Sequence, residues 1–332
     1  SREGWVQLLD EILDSFFVTG KSFDYGCQLI RGYGEPIKGF GGVASGPEPL
    51  CKGMQKIIEV CQAREGQKLR PIDVLDIMNC IGELVVAGNV RRSAQIALGD
   101  DDDTEFLTAK NWGAGDIPSH RGMSNNTVVC NDIANLSEEF WEGYDGSGEP
   151  YGLFNIGLAR AKGRLVDDHR FDPDVIATNP CAEISLSPSK GNGGAESCNL
   201  TEIYLNNIND EAELIKVAKT MYIVNKTVAM IKHHNPHTNK ILQSNMRLGM
   251  GLTGILQRPD LTTSKTLTRT YHELENIDFE FSQKFGCNES IKLTTVKPSG
   301  TLSLLAGATP GVHPAYSRHY IRRVRMASDD DL

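Results

Sequence analysis

The feature that most constrains the fold is an alternation of short apolar segments with longer segments whose apolar residues recur every three or four positions. Short apolar runs are typical of buried strands, and the three-to-four spacing is typical of amphipathic helices. Strands are predicted at 93–98, 127–130 and 203–205, and helices at 5–16, from 71 to about 88, from 137, at 210–231 and at 267–285. Strands that alternate with helices place the chain in the α/β class, either as an open sheet or as a barrel.

Charge and hydropathy exclude several classes of partner. The chain carries 34 Lys and Arg against 43 Asp and Glu, a formal net charge of -9 at pH 7. We therefore expect no nucleic acid partner, since duplex binding needs a basic face. No apolar run approaches the ~20 residues of a membrane helix, and no signal peptide pattern opens the chain. We expect a cytoplasmic protein with no membrane partner, and a piece of a longer polypeptide, because neither end has the pattern of a natural terminus.

Three patterns that often carry cofactors lack the context they need. None of the eight cysteines forms a C-x-x-C pair, so a zinc ribbon has no support. The histidines at 233, 234 and 237 surround Pro236, a helix breaker, and favour a solvated loop with no metal. Gly249, Gly251 and Gly254 form a G-x-G-x-x-G, but no apolar strand precedes them. Close packing against a helix is favoured over the alternative of a nicotinamide dehydrogenase.

A second group of polar residues surrounds one cysteine. In an extended segment, alternate side chains share one side, so Asn179, Cys181 and Glu183 are predicted to converge. That arrangement puts an amide, a thiol and a carboxylate together. A buried carboxylate beside a thiol is costly, and such groups mark reactive sites. The spacing alone leaves open a chance loop with a packed cysteine.

A predicted strand, turn and short helix follow one another near the end of the chain. The strand is predicted at 293–296, the turn at 297–301 and the helix at 302–306. A turn that leads into a helix leaves backbone N–H groups unpaired, and these suit an anion such as phosphate. An ordinary capped helix start is the alternative. Taken with the cysteine segment, the turn indicates thiol and carboxylate chemistry on a phosphorylated substrate.

At this point the sequence resembles the catalytic subunits of ribonucleotide reductases over nearly its whole length. The matching stretches are 179–184 (NPCAEI), 197–202 (SCNLTE) and 297–303 (KPSGTLS). Three further stretches resemble most closely the adenosylcobalamin-dependent, single-chain triphosphate reductases: 40–50 (FGGVASGPEPL), 87–94 (AGNVRRSA) and 313–325 (HPAYSRHYIRRVR).

The resemblance implies a role for each residue of the cysteine segments. Cys181 matches the cysteine that becomes a thiyl radical and removes the 3′ hydrogen of the ribonucleotide, and adenosylcobalamin is the implied source of that radical. Glu183 matches the base that takes the 3′-hydroxyl proton, and Asn179 matches the residue that holds the hydroxyls. Cys198 matches one of two cysteines that reduce the 2′ position. Its family partner precedes the first residue of this chain.

The resemblance also implies a substrate, an effector and a fold. Ser299, Gly300, Thr301 and Leu302 match the turn that binds substrate phosphates, and the loop ending at Ser124, Asn125 and Asn126 resembles the specificity loop. Residues 1–85 resemble the effector-binding insertion, and 86–332 part of a ten-stranded α/β barrel, incomplete at both ends. Cys181 is expected on a central finger loop, buried in the barrel. The implied partners are a ribonucleoside triphosphate, a deoxynucleotide effector and thioredoxin or a similar reductant.

Two other functions remain open from the sequence. The chain resembles, less closely, the large subunit of a class I reductase, which takes its radical from a diiron partner. It is also compatible with a nucleotide-binding fragment that lacks catalysis. We expect the isolated chain not to turn over, because the partner of Cys198 and the C-terminal cysteines of the family are absent from it. No short motif assigns the residues that contact the cobalamin.

Overall fold

The computed structural model describes residues 1–37, 42–87, 93–162, 171–188 and 194–321. The motif stretches 40–50, 87–94 and 313–325 lie partly outside these residues. The described chain divides into two compact units: a first unit of Ser1–Cys130 and Ala134–Phe154, and a second unit of Asn131–Ile133 and Asn155–Ile321.

Helices form most of the first unit. They are α1 (Arg2–Asp14), α2 (Glu48–Ala63), α3 (Pro71–Val86), α4 (Thr104–Thr108) and α5 (Glu138–Gly143). The predictions of α1, α3 and α5 are confirmed. Helix α2 was not predicted, because the preceding run is rich in Gly and Pro. Its signal is the three-to-four spacing of Leu50, Met54, Ile57 and Cys61, all of which are buried in its core.

A three-stranded sheet completes the first unit. Its strands are β1 (Gln95–Gly99), β2 (Ser124–Cys130) and β3 (Gly152–Asn155), in that order, with β1 and β2 parallel. β2 begins three residues before its predicted start. The early start is possible because the polar residues there find partners: Asn79 Nδ2 donates to Ser124 Oγ (3.1 Å), which donates to Asn126 Oδ1 (2.8 Å).

The second unit is built around two parallel strands covered by helices. Its elements are α6 (Ile156–Ala161), β4 (Ala177–Thr178), β5 (Ser185–Leu186), β6 (Leu200–Tyr204), α7 (Glu211–Ala229), α8 (Pro236–Asn245), β7 (Gly249–Thr253), α9 (Ser264–Phe285) and α10 (Thr301–Leu305). Helices α7 and α9 and strand β6 fall where they were predicted, and α9 stops at Gly286 in the left-handed conformation. The segment 293–296, predicted as a strand, does not form a full strand in the described structure. It makes an isolated parallel bridge to β7, between Thr294 and Met250.

The glycine motif forms strand β7, so the expected packing of these glycines against a helix is wrong. A Cβ on Gly249 would lie 2.4 Å from Ile184 Cδ1, and a Cβ on Gly251 would lie 2.6 Å from the Cβ of Lys297. These glycines allow a neighbouring hairpin and turn to approach the strand closely. The loop predicted around Pro236 is also partly helical, since this proline opens α8 at a position that tolerates it.

The α/β class is confirmed, and the described residues form one three-stranded and two two-stranded sheets. A ten-stranded barrel is not seen among them and stays a prediction, as does the domain boundary near residue 85. No helix in the described ranges has the length and apolarity needed to cross a membrane.

Candidate functional site

The predicted radical cysteine lies at the tip of a tight hairpin. β4 and β5 pair antiparallel over two residue pairs, Ala177 with Leu186 and Thr178 with Ser185. The N–H of Asn179 donates to the carbonyl of Ile184 (3.0 Å), and the N–H of Ala182 donates to the carbonyl of Asn179 (2.9 Å). Residues 179–182 therefore form a turn, and the extended conformation predicted there is wrong.

Two local features explain the turn. Pro180 fixes its own φ, and the Asn179 side chain accepts a hydrogen bond from the N–H of Ile184 (3.1 Å). Ala182 then adopts a left-handed conformation with φ of 61°. A non-glycine residue in this region is uncommon and often marks a functional turn.

The hairpin brings two thiols, an amide and a carboxylate together. Asn179 is buried and its Nδ2 donates to Cys198 Sγ at 3.4 Å. Burial and then the Glu183 carboxylate raise the pKa of Cys198 to about 11, against the opposing effects of Asn179 and Lys297. Partial desolvation of the sulfur by neighbouring atoms, and then the Glu183 carboxylate, likewise raise the pKa of Cys181, although its side chain is exposed. Both sulfurs are thus held as neutral thiols, the form that can give up a hydrogen atom.

The Glu183 side chain keeps one acceptor unused. Its Oε2 is buried, and it has no hydrogen-bond partner among the described residues. The residue is fixed through its backbone, because Thr295 Oγ1 donates to the Glu183 carbonyl. A carboxylate oxygen held in place without a donor is suited to accept a proton from a bound substrate.

Cys181 is exposed, and the expectation that it is buried is wrong for this structure. The reason is its place at the tip of a hairpin with two residue pairs, which carries the sulfur beyond the small sheet below. At the root of the same hairpin, Thr178 and Ile184 are buried.

A buried ion cluster holds the root of the hairpin. Arg247 is 3% exposed, and its guanidinium pairs with Asp172 (2.5 and 3.1 Å) and with Glu196 (3.0 Å). The same guanidinium donates to the hydroxyls of Ser185 and Ser187, both at 3.2 Å. Because these two serines lie on or just after β5, Arg247 ties the hairpin to the segment that leads into β7 within the same unit.

The predicted phosphate turn follows the strand-like segment at 293–296. The N–H of Ser299 already donates to the carbonyl of Lys297 (3.0 Å), so that amide is occupied. Gly300 is the N-cap residue of α10, and because glycine has no side chain it cannot bond to the N–H groups of the first turn. The first-turn N–H groups, at Thr301, Leu302 and the residue after them, have no carbonyl of their own helix to bind. Leu302 is exposed at this end.

Three charged or polar residues at this turn were missed by the sequence reasoning. Lys297 Nζ pairs with Glu202 Oε2 at 2.9 Å, and Thr253 Oγ1 donates to Glu202 Oε1. Burial alone would raise the pKa of the Glu202 carboxyl, but these contacts and the nearby Ser299 hydroxyl, which makes no well-aligned hydrogen bond, lower it. The available signal was a Glu at the centre of an apolar strand.

Lys297 links the turn to the thiols. Its ammonium lowers the pKa of Cys181 and of Cys198, in opposition to burial and Glu183. Its side-chain stem lies over Gly251 of β7. The hairpin and the turn therefore share one electrostatic environment.

The predicted specificity residues lie in the first unit, at the start of β2 rather than in a loop. Ser124 and Asn126 are buried and Asn125 is exposed. Lys110 Nζ donates to the carbonyl of Ser124 (2.9 Å) and pairs with Glu149 (2.7 Å). Hydrogen bonds thus fix Ser124 and Asn126, and the Asn125 side chain is exposed.

Comparison with known proteins gives one consistent set of relatives. Residues 1–61 match the model of the insertion domain of B12-dependent ribonucleotide reductases. The chain is 36% identical to an adenosylcobalamin-dependent ribonucleoside-triphosphate reductase of Lactobacillus acidophilus and 35% identical to that of Lactobacillus leichmannii. Both alignments cover 100% of this chain, but 48% and 49% of the relatives.

A solved structure supports the same relationship. A crystal structure of a B12-dependent (class II) ribonucleotide reductase superposes with a TM-score of 0.76 at 32% sequence identity. The superposition covers 94% of this chain and 47% of that one. The chain therefore spans about half the length of the relatives it matches.

Proposed function

On the premise that this chain belongs to the family of B12-dependent ribonucleotide reductases, we propose that it carries the catalytic centre of a ribonucleoside-triphosphate reductase. The reaction is the reduction of a ribonucleotide to a 2′-deoxyribonucleotide by a thiyl-radical mechanism. One observation carries the proposal: the hairpin that bears Cys181 and Glu183 also brings Asn179 Nδ2 to within 3.4 Å of Cys198 Sγ, so that two thiols, an amide and a carboxylate share one site.

The hairpin supplies the groups that act on the ribose. Cys181 would carry the thiyl radical that removes the 3′ hydrogen of the ribose. Its sulfur suits this role because it is held as a thiol and its side chain is exposed at the tip of the hairpin. Glu183 Oε2, free of other donors, would accept the 3′-hydroxyl proton so that the 2′-hydroxyl leaves as water. Asn179 would orient the substrate hydroxyls, and its amide already fixes Cys198.

The site fits an external source of the radical. Adenosylcobalamin, when bound, would supply the one-electron oxidation of a cysteine thiol. The Cys181 side chain is exposed, so none of the described residues blocks the approach of such a cofactor to its sulfur. The residues that contact the corrin are left unassigned.

Cys198 would serve as one of the two cysteines that reduce the 2′ position. It lies immediately before β6, held by Asn179, and its high pKa keeps the proton that reduction of the 2′ carbon consumes. The second cysteine, and the thiols that pass electrons from thioredoxin or a similar reductant, would come from the length of the relatives that this chain does not span.

The turn at 299–302 would hold the substrate phosphates. The N–H groups of the first turn of α10 and the Lys297 ammonium provide positive potential there. The deoxynucleotide effector would act in the first unit, through the region of 1–85 and through Ser124, Asn125 and Asn126. Of these three, the exposed Asn125 is the side chain open to a ligand.

The finer fold is part of the same proposal. The strands described within 86–332, the parallel pair β6 and β7 among them, would belong to a ten-stranded barrel that is completed by the other half of the reductase. In that barrel the hairpin would be the central finger, and the exposed tip would be enclosed. Enclosure would keep a thiyl radical from water and stray reductants.

A class I large subunit is less well supported, since the relatives and the insertion-domain match are B12-dependent enzymes. The remaining candidate is a nucleotide-binding fragment. It is favoured for the isolated chain by the absence of a second reducing cysteine beside Cys198 in the described site.

The test supplies a full-length reductase that contains this sequence with adenosylcobalamin, a dithiol reductant and ribonucleoside triphosphates, but no second subunit. We expect deoxyribonucleotide to accumulate, measured by chromatography. Cys181→Ser and Glu183→Gln should abolish it. Cys287→Ser, a cysteine packed against the core of α7 and α9, is the matched control and should retain activity. Absence of product from the unmodified enzyme would defeat the cobalamin assignment.

A further inference from the structure

Two cysteines of the first unit lie in contact, whereas the residues proposed for catalysis belong to the second unit. Cys27 Sγ and Cys51 Sγ are 3.3 Å apart, and both residues are partly buried. They are 24 residues apart in sequence, so the contact is tertiary rather than local. We propose that Cys27 and Cys51 are a redox-active pair: small-molecule disulfides oxidise them to a Cys27–Cys51 disulfide, and small thiols reduce that bond again.

The positions of the two sulfurs suit a covalent bond. Cys51 is in the first turn of α2, whose position is fixed by the core of the unit. Cys27 is in a segment, 20–29, that has no helix or strand. A disulfide needs the sulfurs at about 2.05 Å, so they must approach by a little over one ångström. A segment without regular hydrogen bonding can make that shift, whereas two rigid helices could not.

The contact is also the main attachment of its segment. Every residue from 20 to 29 except Cys27 is exposed. Cys27 and the next partly buried residue, Ile30, pack against the core that contains Leu50 and Met54. A disulfide would therefore fasten a stretch that is otherwise held by two side chains.

The segment also forms part of the wall of a cavity. Leu29, Ile30 and Arg31 line a cavity of about 560 Å³ together with Trp5 and Met54. Leu29, Ile30 and Arg31 follow Cys27 by two to four positions in the sequence. Forming the disulfide would fix this wall relative to α2, and reduction would release it.

The surroundings disfavour the thiolate form of Cys27. Burial and the adjacent Cys51 raise the pKa of Cys27, and burial with both thiols raises the pKa of Tyr25. The influences on the pKa of Cys27 are burial and Cys51, and no Lys, Arg or His of the described residues opposes them. Reaction therefore needs an oxidant that can exchange with the small thiolate fraction, and small disulfides do so.

The chemistry balances in two exchange steps. The thiolate of one cysteine attacks a sulfur of oxidised glutathione, forming a mixed disulfide and releasing one glutathione thiolate. The thiolate of the other cysteine then attacks the protein sulfur, which forms the Cys27–Cys51 bond and releases the second glutathione. The two cysteine protons end on the two glutathione molecules.

The test exposes the chain to mixtures of reduced and oxidised glutathione, blocks remaining thiols by alkylation and identifies tryptic peptides by mass spectrometry. Arg31 lies between the two cysteines, so trypsin separates their peptides unless a disulfide joins them. Adjacent thiols act at an effective concentration of millimolar or more, so with about 1 mM oxidised glutathione and roughly tenfold less reduced glutathione the linked peptide should predominate. Dithiothreitol should reverse it.

Matched variants separate this pair from general oxidation. In Cys51→Ser, Cys27 should stop at the mixed disulfide with glutathione, and Cys27→Ser should leave Cys51 in the same state. Cys61 and Cys80, buried in the same unit, should stay alkylatable after unfolding. In the oxidised chain, amide exchange over 20–31 should slow. A persistent mixed disulfide in the unmodified chain, or free thiols at both positions, would overturn the proposal whatever the outcome of the reductase assay.

Discussion

At the scale of single residues, the proposed chemistry depends on the opposite effects of Glu183 and Lys297 on the pKa values of two thiols. Glu183 raises the pKa of both Cys181 and Cys198, and Lys297 lowers both. The charges act oppositely because a thiolate is repelled by a carboxylate and attracted by an ammonium. Removing either charge should therefore move thiol reactivity in a known direction.

We predict that Glu183→Gln lowers the pKa of both thiols and that Lys297→Met raises it. At mildly alkaline pH, alkylation of Cys181 by iodoacetamide should become about threefold or more faster in the first variant and slower in the second. Mass spectrometry of the alkylated peptides against time measures the rates. Glu280→Gln, on α9, is a charge-matched control with no expected effect. Equal shifts in the same direction would contradict the assignment.

The residues of this site were partly predictable. Asn179, Cys181 and Glu183 follow from a three-residue pattern, and the turn at 299–302 from a strand, a glycine and a helix start. The contact of Glu202 with Lys297 was not predictable, because these residues are 95 positions apart and meet only through the pairing of β6, β7 and the segment after α9.

At the scale of elements, the hairpin of β4 and β5 is too short to hold itself. Two residue pairs give few backbone hydrogen bonds, and an isolated short hairpin is marginally stable. Its register is fixed from outside by Arg247, through the hydroxyls of Ser185 and Ser187. Arg247 is thus a positioning residue for the tip that carries Cys181.

We predict that Arg247→Lys loosens the hairpin while the second unit stays folded. A lysine keeps the charge but cannot pair with Asp172 in a bidentate geometry or reach both serines. Amide exchange over 176–187 should become about tenfold faster, reflecting the loss of roughly 1–2 kcal/mol of local stability. Hydrogen exchange with mass spectrometry measures this segment by segment.

The control is a second buried ion pair in the same unit. Lys226 and Asp278 are both fully buried and pair at 2.9 Å, joining α7 to α9. Lys226→Met should destabilise the unit by about 3–5 kcal/mol, because it leaves a buried carboxylate unpaired. When the two variants are compared under conditions of equal overall stability, Lys226→Met should not speed amide exchange over 176–187 more than in the rest of the unit. Equal selective loosening by both variants would show that Arg247 has no special role there.

At the scale of the whole molecule, acid stability should depend on a few buried carboxylates. Asp76 on α3 accepts hydrogen bonds from Arg121 Nε (2.7 Å) and Nη2 (2.8 Å) and contacts His120 Nε2 (2.9 Å). Burial alone would raise its pKa, but these partners hold the pKa of Asp76 at about 2. The folded value lies below the unfolded value of about 3.9.

We predict that Asp76→Asn lowers the free energy of unfolding at neutral pH by roughly 2 kcal/mol and has little effect near pH 2. The sign follows because a depressed folded pKa stabilises the fold above the unfolded pKa. That contribution is lost as the pH falls from about 4 towards 2. Urea unfolding at a series of pH values, followed by circular dichroism, measures the difference. A constant difference across the series would refute the ion-pair explanation.

The sequence by itself determined the α/β class, the positions of helices such as α1, α3, α7 and α9, and the residues of the cysteine hairpin and the turn. These are recorded locally, since helix periodicity, N-caps and short motifs need no more than a few neighbouring positions. Tertiary structure alone decided that Cys181 is exposed, that Lys297 meets Glu202 and that Cys27 lies against Cys51. Contacts between distant residues depend on strand pairing and core packing, which no local pattern specifies.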